Sequence, residues 1–474
     1  SGAITGGKPV IVNTDGTVTE IAGSATSVGT SVVFETGLTE SLGMAATFDS
    51  NSNRIVIAYQ DGGNSNYGTA IVGTIDSSDN SISFGTAVVY HSANSNYNTA
   101  SFDSNSNKVV IAFTAPADGT GKSYVGTVDP SDNSISFGSA VNFQAGARAS
   151  HVSSAFDSNS NKVAIFYEDN GNNNYGTGIV GTVSGTSISY GSEAVFESAQ
   201  VSAISATFDS SNNKVVIAYR DHGNSNYGTA VIGTISSTSI SFGTPVVFES
   251  AITTGCSATF DNNSNKVFIA YDDHGATTQN AIIGTVSGTS ISFGTAVAYE
   301  TGVSTGNLLA TGFDSSTNKV VVGYGDAGDS NKGKISVGSI SGTSVSFETP
   351  VEYDSGSTAP GYCEIPFDSN TNRLLLPYKD GNTDPAQAGA AVVIQTSATN
   401  LTTSENFIGF AQDTVATGQP VTINTKGAID ENQSSLTPAQ QYFVQTDGTL
   451  GTSADDPSVV AGTAVTATKL IVKG

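Results

Sequence analysis

Two acidic motifs recur along the chain and contain most of the side chains that could do chemistry. The longer one is Tyr-x-Asp-x-Gly followed by Asn-x-Asn-Tyr-Gly, and reduced copies keep only an aspartate, as at Asp326 and Asp380. Carboxylates, amides and phenol rings on one face could bind a sugar by hydrogen bonding and ring stacking. Hydrogen bonds that close the loop are the favoured interpretation, because a motif present in most repeats more often meets a structural need. The candidate ligand-binding residues are Asp61, Asn66, Tyr67, Asp169, Asn174, Tyr175, Asp221, His222, Asn226, Tyr227, Asp273 and His274.

The shorter motif, Phe-Asp-Ser-Asn-Ser-Asn, places alternating oxygen side chains after Asp49, Asp103 and Asp157. This alternation is a feature of calcium loops, but the glycine at the sixth position and the closing glutamate of an EF-hand are missing. A hairpin turn in which Asp and Asn bind backbone groups explains the same residues. We therefore expect a plain turn, with calcium as the alternative and no other cofactor.

Sequence signatures of catalysis are missing. The chain contains no GxSxG, HExxH, CxxC, P-loop or dinucleotide-binding pattern. His222 and His274 share a repeat position, but a metal site normally needs about four converging ligands. His91 and His151 occupy other positions. The sequence predicts no catalytic residue, and exposed loop histidines are the expected interpretation.

Composition excludes two classes of partner. The formal net charge is −24, from 41 acidic and 17 basic residues. A polyanion would be repelled, so we expect no nucleic acid partner. No run of 18 apolar residues occurs, so membrane insertion is not expected.

The elements that must position these motifs are repeated. Phe-Asp occurs at Phe48, Phe102, Phe156, Phe208, Phe260, Phe313 and Phe367, at intervals of 54, 54, 52, 52, 53 and 54 residues. Each repeat divides into four strand-like runs separated by turn residues, such as SAISATF, KVVIAY, TAVIGTI and SISFGTPVVF. Four short strands in about 50 residues are typical of a β-propeller blade. The second run is apolar on both faces, as expected for a strand covered on both sides.

The two ends of the array predict how the ring closes. The seventh repeat lacks the fourth run, whereas TSVGTSVVFETG, residues 27–38, resembles that run and precedes the first repeat. We therefore expect residues 30–36 to pair with the strand at 390–396 and to complete the last blade. This closure removes free sheet edges, which otherwise invite aggregation.

The predicted fold is therefore all-β: a seven-bladed β-propeller closed by an N-terminal strand, plus a small C-terminal β-rich domain. The predicted boundaries are 1–23 for an N-terminal β-hairpin segment around Asp15-Gly16, 24–397 for the propeller and 398–474 for the C-terminal module. GKPVIVNTDGTV (7–18) and GQPVTINTKGAI (418–429) correspond position by position, so the flanking pieces are either related modules or packed together. The repeats start near residues 41, 95, 149, 201, 253, 306 and 360.

The only two cysteines occupy one repeat position in non-adjacent repeats. Cys256 and Cys363 each lie four residues before a Phe-Asp pair. A disulfide would have to span an intervening blade, which its short geometry forbids. Both are expected to be small buried thiols in inner strands.

The last 70 residues resemble a known module. ENFIGF, the run Leu436-Thr437-Pro438, YFVQ before Asp447-Gly448 and the ending AVTATKLIVKG occur in this order. This order resembles the C-terminal module of tailed-phage virion surface proteins, tail fibres among them, of the marine phage type. The resemblance implies location on the virion, outside cells, with other virion proteins and a host-surface glycan or protein as partners. It also implies a homo-oligomer, a trimer being common among such fibres.

The leading hypothesis is a non-enzymatic virion surface protein with a structural and host-binding role, in which the motif face described above would recognise glycans. Two alternatives stay open. One is a secreted propeller enzyme that degrades glycans, which non-repeated acids at the mouth of the ring would favour. The other is a bacterial surface adhesin or lattice protein.

Overall fold

The computed structural model describes residues 3–12, 17–21, 25–37, 39–301, 309–360, 364–381, 387–397, 407–445, 448–454 and 458–473. The chain divides into two compact units, Ser27–Gln395 and the combination of Ser1–Thr26 with Thr396–Gly474. Regular structure in the described residues is antiparallel β-strand, with short 3₁₀ turns at Gly62–Asn64, His222–Asn224 and Ala327–Asp329. No helix in this described part is long and apolar enough to span a membrane.

The strands of the larger unit follow the repeats. Before the first repeat lie β1 (Pro9–Val12), β2 (Val18–Glu20), β3 (Ser27–Val28) and β4 (Val32–Glu35). Blades 1 to 3 contain β5 (Thr39–Asp49), β6 (Arg54–Asp61), β7 (Tyr67–Asp76), β8 (Ser81–Phe84), β9 (Val88–Asn94), β10 (Asn96–Asp103), β11 (Lys108–Ala115), β12 (Thr120–Asp129), β13 (Ser134–Phe137), β14 (Val141–Gln144), β15 (Ala149–Asp157), β16 (Lys162–Asp169), β17 (Tyr175–Ser184), β18 (Ser187–Tyr190) and β19 (Ala194–Asp209). Blades 4 to 7 continue with β20 (Lys214–Asp221), β21 (Tyr227–Ser236), β22 (Ser239–Phe242), β23 (Val246–Asp261), β24 (Lys266–Asp273), β25 (Thr278–Ser287), β26 (Ser290–Phe293), β27 (Val297–Thr301), β28 (Leu309–Asp314), β29 (Lys319–Asp326), β30 (Lys332–Ser341), β31 (Ser344–Phe347), β32 (Val351–Pro360), β33 (Phe367–Asp368), β34 (Arg373–Asp380) and β35 (Ala388–Gln395).

Each blade is an antiparallel sheet whose fourth strand is broken into two pieces. In blade 1 the order is β5-β6-β7, and both β8 and β9 pair with β7. The second piece then leads into the first strand of the next blade, so that β19, β23 and β32 each pair with strands of two successive blades. The sequence predicted one continuous fourth strand; the break falls at the Gly-Thr pair that follows Ser-Ile-Ser-Phe.

A glycine at this break allows successive blades to approach closely. A Cβ built on Gly191 would lie 1.8 Å from the Thr238 carbonyl oxygen of the next blade. The same contact recurs at Gly85, Gly138, Gly243 and Gly294, which approach Asn133, Thr186, Thr289 and Thr343. A glycine is thus needed here for space rather than for an unusual φ.

The ring closes through the N-terminal segment. Strand β4 pairs with β35, with Val32 opposite Ala391, and β3 pairs Ser27 with Gln395. A Cβ on Gly29 would lie 1.8 Å from the Asn80 carbonyl oxygen, which repeats the contact of the other blade junctions. The prediction of a seven-bladed propeller closed by an N-terminal strand is confirmed. The pairing differs in detail from the expected one of residues 30–36 with 390–396, because it is divided into two segments. Residues 27–28 pair with 394–395, and residues 32–35 pair with 389–391.

Buried tyrosines join neighbouring blades, and we call these contacts the blade latches. In five of the seven blades, the second strand places a fully buried tyrosine whose hydroxyl donates to a carboxylate on the fourth strand of the preceding blade. The pairs are Tyr59–Glu35 (3.2 Å), Tyr219–Glu197 (3.1 Å), Tyr271–Glu249 (2.9 Å), Tyr324–Glu300 (3.3 Å) and Tyr378–Asp354 (2.9 Å). Where blade 2 has Phe113 and no hydroxyl, the acid is replaced by His91, whose ring lies 5.0 Å from that of Phe113. Many acidic side chains of this chain therefore serve the packing of its blades.

The smaller unit combines both ends of the chain. It adds β36 (Phe407–Ala411), β37 (Ile423–Thr425), β38 (Ile429–Asp430), β39 (Gln441–Val444), β40 (Leu450–Gly451), β41 (Val460–Thr466) and β42 (Lys469–Val472). One sheet has the order β2-β1-β36-β37 and the other β38-β42-β41-β39-β40. Ile11 and Ile21 share a buried core with Phe410, Leu436 and Tyr442. Strands β1 and β2, which the sequence assigned to a segment separate from the C-terminal module, therefore form one sheet with β36 and β37. The turn at Asp15-Gly16 lies outside the described residues.

Candidate functional site

The aspartates of the longer motif are turn caps. Asp221 Oδ1 accepts hydrogen bonds from the backbone N–H groups of Gly223 (2.9 Å) and Asn224 (3.2 Å). The same bonds are made by Asp61 to Asn64, Asp169 to Gly171 and Asp273 to Gly275. All four side chains are buried. These carboxylates build the loop that joins the second and third strands, which is the loop-closing role that the sequence favoured over ligand contact.

The asparagines of this motif supply a left-handed backbone. Asn66, Asn174 and Asn226 have φ of 61°, 62° and 64°. Asparagine tolerates this region better than most residues because its short polar side chain bonds locally. Their carbonyl oxygens accept the N–H of Ser95 (3.3 Å), Val201 (3.3 Å) and Thr253 (3.0 Å), where the chain enters the next blade.

The tyrosines of the motif differ from its aspartates and asparagines, because their side chains make no hydrogen bond within the described residues. Tyr67, Tyr175 and Tyr227 are half-buried, and within the described residues none of their side chains has a hydrogen-bond partner. Tyr227 is opposite Asp221 across the strand pair and so shares its face, as does Tyr219 two residues earlier. The Tyr219 ring packs on Phe196 of the preceding blade at 5.2 Å. Each of the three tyrosines therefore faces the groove between its own blade and the preceding one.

The two histidines of the motif are placed differently from each other. His222 Nε2 lies 2.8 Å from the Ser202 hydroxyl and is half-buried. His274 is exposed, and its backbone N–H donates to the carbonyl of Ile252 (2.9 Å). Among the described residues, no three His, Cys, Asp or Glu side chains are grouped as a metal site requires.

The shorter motif forms the turns on the opposite face. Asp49 Oδ1 accepts the N–H of Asn51 (2.9 Å) and Ser52 (3.0 Å). Asp103 and Asp157 repeat both bonds, and their Oδ2 atoms also accept the hydroxyls of Ser106 (2.8 Å) and Ser160 (2.6 Å). These contacts form the hairpin turn that was expected in preference to calcium.

Cys256 is buried and free, and its thiol lies 2.8 Å from the carbonyl oxygen of Ala203 in the preceding blade. Burial raises the pKa of this thiol, so it is unreactive. Asn98 at the same repeat position donates to the Gly43 carbonyl (2.7 Å). Cys256 and Asn98 thus each contact a backbone carbonyl of the preceding blade, whereas other blades place an apolar side chain such as Val152 at this position. Cys363 lies outside the described residues.

The first strands surround a central channel with two cavities. The upper cavity, about 50 Å³, is lined by Tyr97, His151, Ala203 and Cys256 among others. The lower one, about 440 Å³, is lined by the phenylalanines of the Phe-Asp pairs and by Ser and Thr hydroxyls. Glu364 borders both, and the surrounding protein raises its pKa to about 7 even though solvent in the channel reaches the side chain.

A repeated bulge directs side chains into the upper cavity. The first strand shifts register in several blades, for example between Ser150 and Ser153. Tyr97, His151 and Ala203 occupy this bulge with φ of 51°, 50° and 48°. Non-glycine residues in this region are strained, and bulges often re-aim a side chain towards a site.

The channel residues were missed from the sequence, although a signal for them was present. The residue between Tyr and Asp in the longer motif varies, while its neighbours stay constant in every blade except blade 2, which has Phe113 and Ala115. It is Gln60, Thr114, Glu168, Arg220, Asp272, Gly325 or Lys379 in successive blades. A variable polar position inside an otherwise constant repeat indicates a role that differs from blade to blade.

Comparisons with known proteins support only the general architecture. No protein family model matches the chain, and no curated protein matches it. Solved structures that resemble it include Sqt1 of Saccharomyces cerevisiae (12% identity, 76% of this chain and 84% of that chain, TM-score 0.44) and AofleA from Arthrobotrys oligospora (10%, 69% and 93%, 0.41). A variant of Aleuria aurantia lectin in complex with α-methyl-L-fucoside is similar at 14% identity over 68% of this chain and 98% of that chain, with a TM-score of 0.43. Likeness at this level carries no information on what the present chain binds.

Proposed function

We propose that the chain is a non-enzymatic, surface-displayed binding protein whose propeller recognises glycans in the grooves between blades. The observation that carries this proposal is the set of three half-buried tyrosines, Tyr67, Tyr175 and Tyr227, with unpartnered hydroxyls. A phenol offers a sugar both an apolar ring face and a hydrogen-bonding tip. Three equivalent grooves would give avidity to sites that are individually weak.

The finer part of the proposal is that the protein belongs to a phage virion and engages a host surface. It is supported by the sequence of the smaller unit, whose motif residues Phe407, Leu436 and Tyr442 form the core of that unit. Detection of the chain in purified phage particles by mass spectrometry would test this part. Its consistent absence from such particles would favour the bacterial adhesin instead.

The chain itself provides a substitution for testing the grooves. Blades 2 and 5 have Thr120 and Thr278 where blades 1, 3 and 4 have these tyrosines. Tyr67→Thr, Tyr175→Thr and Tyr227→Thr combined should therefore keep the fold while removing the rings. On a glycan array the triple variant should lose at least about tenfold in apparent affinity, because each lost ring weakens one of the linked sites. Thr278→Ala is the matched control and should bind as the unmodified chain does.

Absence of binding to any glycan or host cell by the unmodified chain would remove the binding role. Unchanged binding by the triple variant would place the site elsewhere.

A glycan-degrading enzyme is the second candidate, and one observation favours it. Burial raises the pKa of Glu168 to about 7, a value that suits a general acid. Release of reducing ends from host polysaccharide by the unmodified chain, abolished by Glu168→Gln, would establish this function in place of the first.

A further inference from the structure

The lower cavity of the channel combines aromatic and polar groups in its wall. Its volume of about 440 Å³ lies within the usual range of small-ligand sites, roughly 300 to 1,000 Å³. Phenylalanines of five successive blades border it, together with Ser and Thr hydroxyls of the first strands. These half-buried rings are Phe48, Phe102, Phe156, Phe208 and Phe260. The cavity therefore offers a ligand both aromatic surface and hydrogen-bonding groups.

Glu364 of blade 7 supplies the charge of this wall. Among the described residues that border the lower cavity, no other side chain is charged, so no base compensates the carboxylate. The Glu364 side chain is exposed to the channel and makes neither a hydrogen bond nor an ion pair with a described residue. A carboxylate that shares a cavity with aromatic rings and has no cationic partner is suited to a ligand that brings the positive charge.

The repeat does not explain a glutamate at this position. The equivalent residues, three before the phenylalanine in the other repeats, are Ala45, Thr99, Ser153, Ser205, Ser257 and Ala310. Hydroxyls at this position join blades, as where Ser205 Oγ accepts the N–H of Ala258 at 2.9 Å. Glu364 instead lies between strands β32 and β33, where it forms an isolated bridge with Thr311 of blade 6. Its carboxylate is not used to join blades and is available to a ligand.

The lower cavity reaches the protein surface at the face of the shorter motif. Ser104, Ser158, Ser210 and Asn262 border it, and each is the exposed residue that follows a motif aspartate. The grooves of the proposed function lie on the opposite face, at the loops that join the second and third strands. The two sites can therefore be tested independently.

The lining favours an organic cation over a metal ion. Aromatic rings attract a cation, and quaternary ammonium ions are the ligands most often bound in aromatic-lined sites. A calcium ion would need six or more oxygen ligands, with several carboxylates among them as a rule. The described lining offers one carboxylate, and no three His, Cys, Asp or Glu side chains are grouped within the described part of the chain.

We propose that the lower cavity is a binding site for a small quaternary ammonium ion that carries a hydroxyl group, choline being the simplest example. Glu364 would balance the charge, and the phenylalanine rings would contact the methyl groups. Hydroxyls of the wall, such as those of Thr47 and Thr259, would bind the ligand hydroxyl. This inference is independent of glycan binding in the grooves.

Calorimetric titration of the full chain with choline and with 3,3-dimethylbutan-1-ol, the uncharged carbon analogue of choline, tests the inference. The titrations are run at pH 8, because the pKa of Glu364 is about 7 and the charge of choline does not titrate. Choline should bind at least about tenfold more tightly than the alcohol, since only choline carries a charge for the carboxylate and the rings. Glu364→Gln should lose this preference.

Two further variants serve as controls. Glu364→Ser introduces the residue that blades 3, 4 and 5 have at this position, so it should fold and yet show no preference for choline. Glu431→Gln removes an exposed carboxylate of the smaller unit and should bind choline as the unmodified chain does. A circular dichroism melt of each variant verifies folding.

The outcomes separate this inference from the proposed function. Equal affinity for choline and the alcohol, or a preference that survives in Glu364→Gln, would overturn the site. Displacement of choline by an equal concentration of potassium chloride would overturn the ligand class, because it would show a site for any cation. Choline binding should persist in the triple tyrosine variant, and loss of glycan binding on the array would overturn the groove function alone.

Discussion

At the scale of single residues, most of the acidic side chains that attracted attention in the sequence turn out to hold the backbone. Asp61, Asp169 and Asp221 cap turns, and Glu197 and Glu249 accept hydrogen bonds from buried tyrosines. Such contacts recur in most blades, which is why the motifs repeat. Residues that break the repeat, Glu168 and Arg220 among them, are better candidates for a role specific to one site.

The blade latches can be tested by a double-mutant cycle. Tyr219→Phe removes the hydroxyl that donates to Glu197 Oε2 at 3.1 Å and should lower the free energy of unfolding by about 1 to 2 kcal/mol. Glu197→Ala should cost a similar amount. Because both changes break the same bond, the double variant should be less destabilised than the sum, by about 1 kcal/mol in urea denaturation. Strict additivity would mean that the pair contributes no coupling.

Glu168 should give the stability a pH dependence of defined sign. Its pKa is raised by burial from 4.5 to about 7 in the folded chain, so the folded state binds the proton more tightly. This contribution to stability is complete below about pH 4.5 and is lost as the pH rises through about 7. Glu168→Gln, which stays neutral, should melt within error of the unmodified chain at pH 5 and roughly 2 °C higher at pH 8.

The comparison between variants is needed because His151 acts in the opposite sense. Burial lowers its pKa to about 4, so its contribution to stability grows as the pH rises from about 4 to 6.5. Equal melting shifts at pH 5 and pH 8 would contradict the assignment.

At the scale of elements, the glycine between the two pieces of the fourth strand controls how closely blades approach. Gly191→Ala would place a methyl group 1.8 Å from the Thr238 carbonyl oxygen, and we expect a loss of about 3 kcal/mol or more. Gly185→Ala is the control: its φ is +62° but nothing lies within 4 Å of the added Cβ, so a loss of about 1 kcal/mol is expected. Chemical denaturation should rank the two in this order; the reverse ranking would mean that backbone conformation matters more than blade spacing.

The natural sequence contains an exception that supports this explanation. The equivalent position before the seventh blade is Glu348. Blade 7 has no hairpin there to approach, because its third and fourth strands, β35 and β4, come from opposite ends of the array. Glu348 instead forms a 3.0 Å ion pair with Lys319.

Blades, their number and their closure could be predicted because they depend on local patterns that are repeated seven times. Strand periodicity, turn residues and the missing fourth run in the last repeat are all visible in the sequence. The channel site could not be predicted in the same way. Tyr97, His151 and Glu168 are distant in sequence and meet only through a bulge and a blade junction. The resemblance of the last 70 residues to phage modules stays a prediction.

At the scale of the whole molecule, the smaller unit requires both ends of the chain. Removal of residues 1–26 would delete β1 and β2 and take Ile11 and Ile21 from its core. We expect residues 396–474 to become sensitive to protease while residues 27–395 stay resistant. Resistance of both parts after the truncation would show that the C-terminal part folds alone.

A point substitution makes the same test without truncation. Ile21→Asp places a charge at a side chain that is 1% exposed and should have the same effect on the smaller unit. Val12→Asp lies in the same segment but is 45% exposed, and it should be tolerated.

The pairing of Ser27 with Gln395 has a consequence for the order of folding. Seen from the smaller unit, several hundred residues separate β2 from β36, so the unit contains a very long loop. While that loop is a disordered chain, joining its ends costs roughly 5 kcal/mol of conformational entropy. Once the ring has formed, the two ends lie side by side and nearly all of this cost has already been met. Formation of the propeller therefore stabilises the smaller unit by lowering the entropy cost of bringing β2 and β36 together. The smaller unit should accordingly fold last and unfold first.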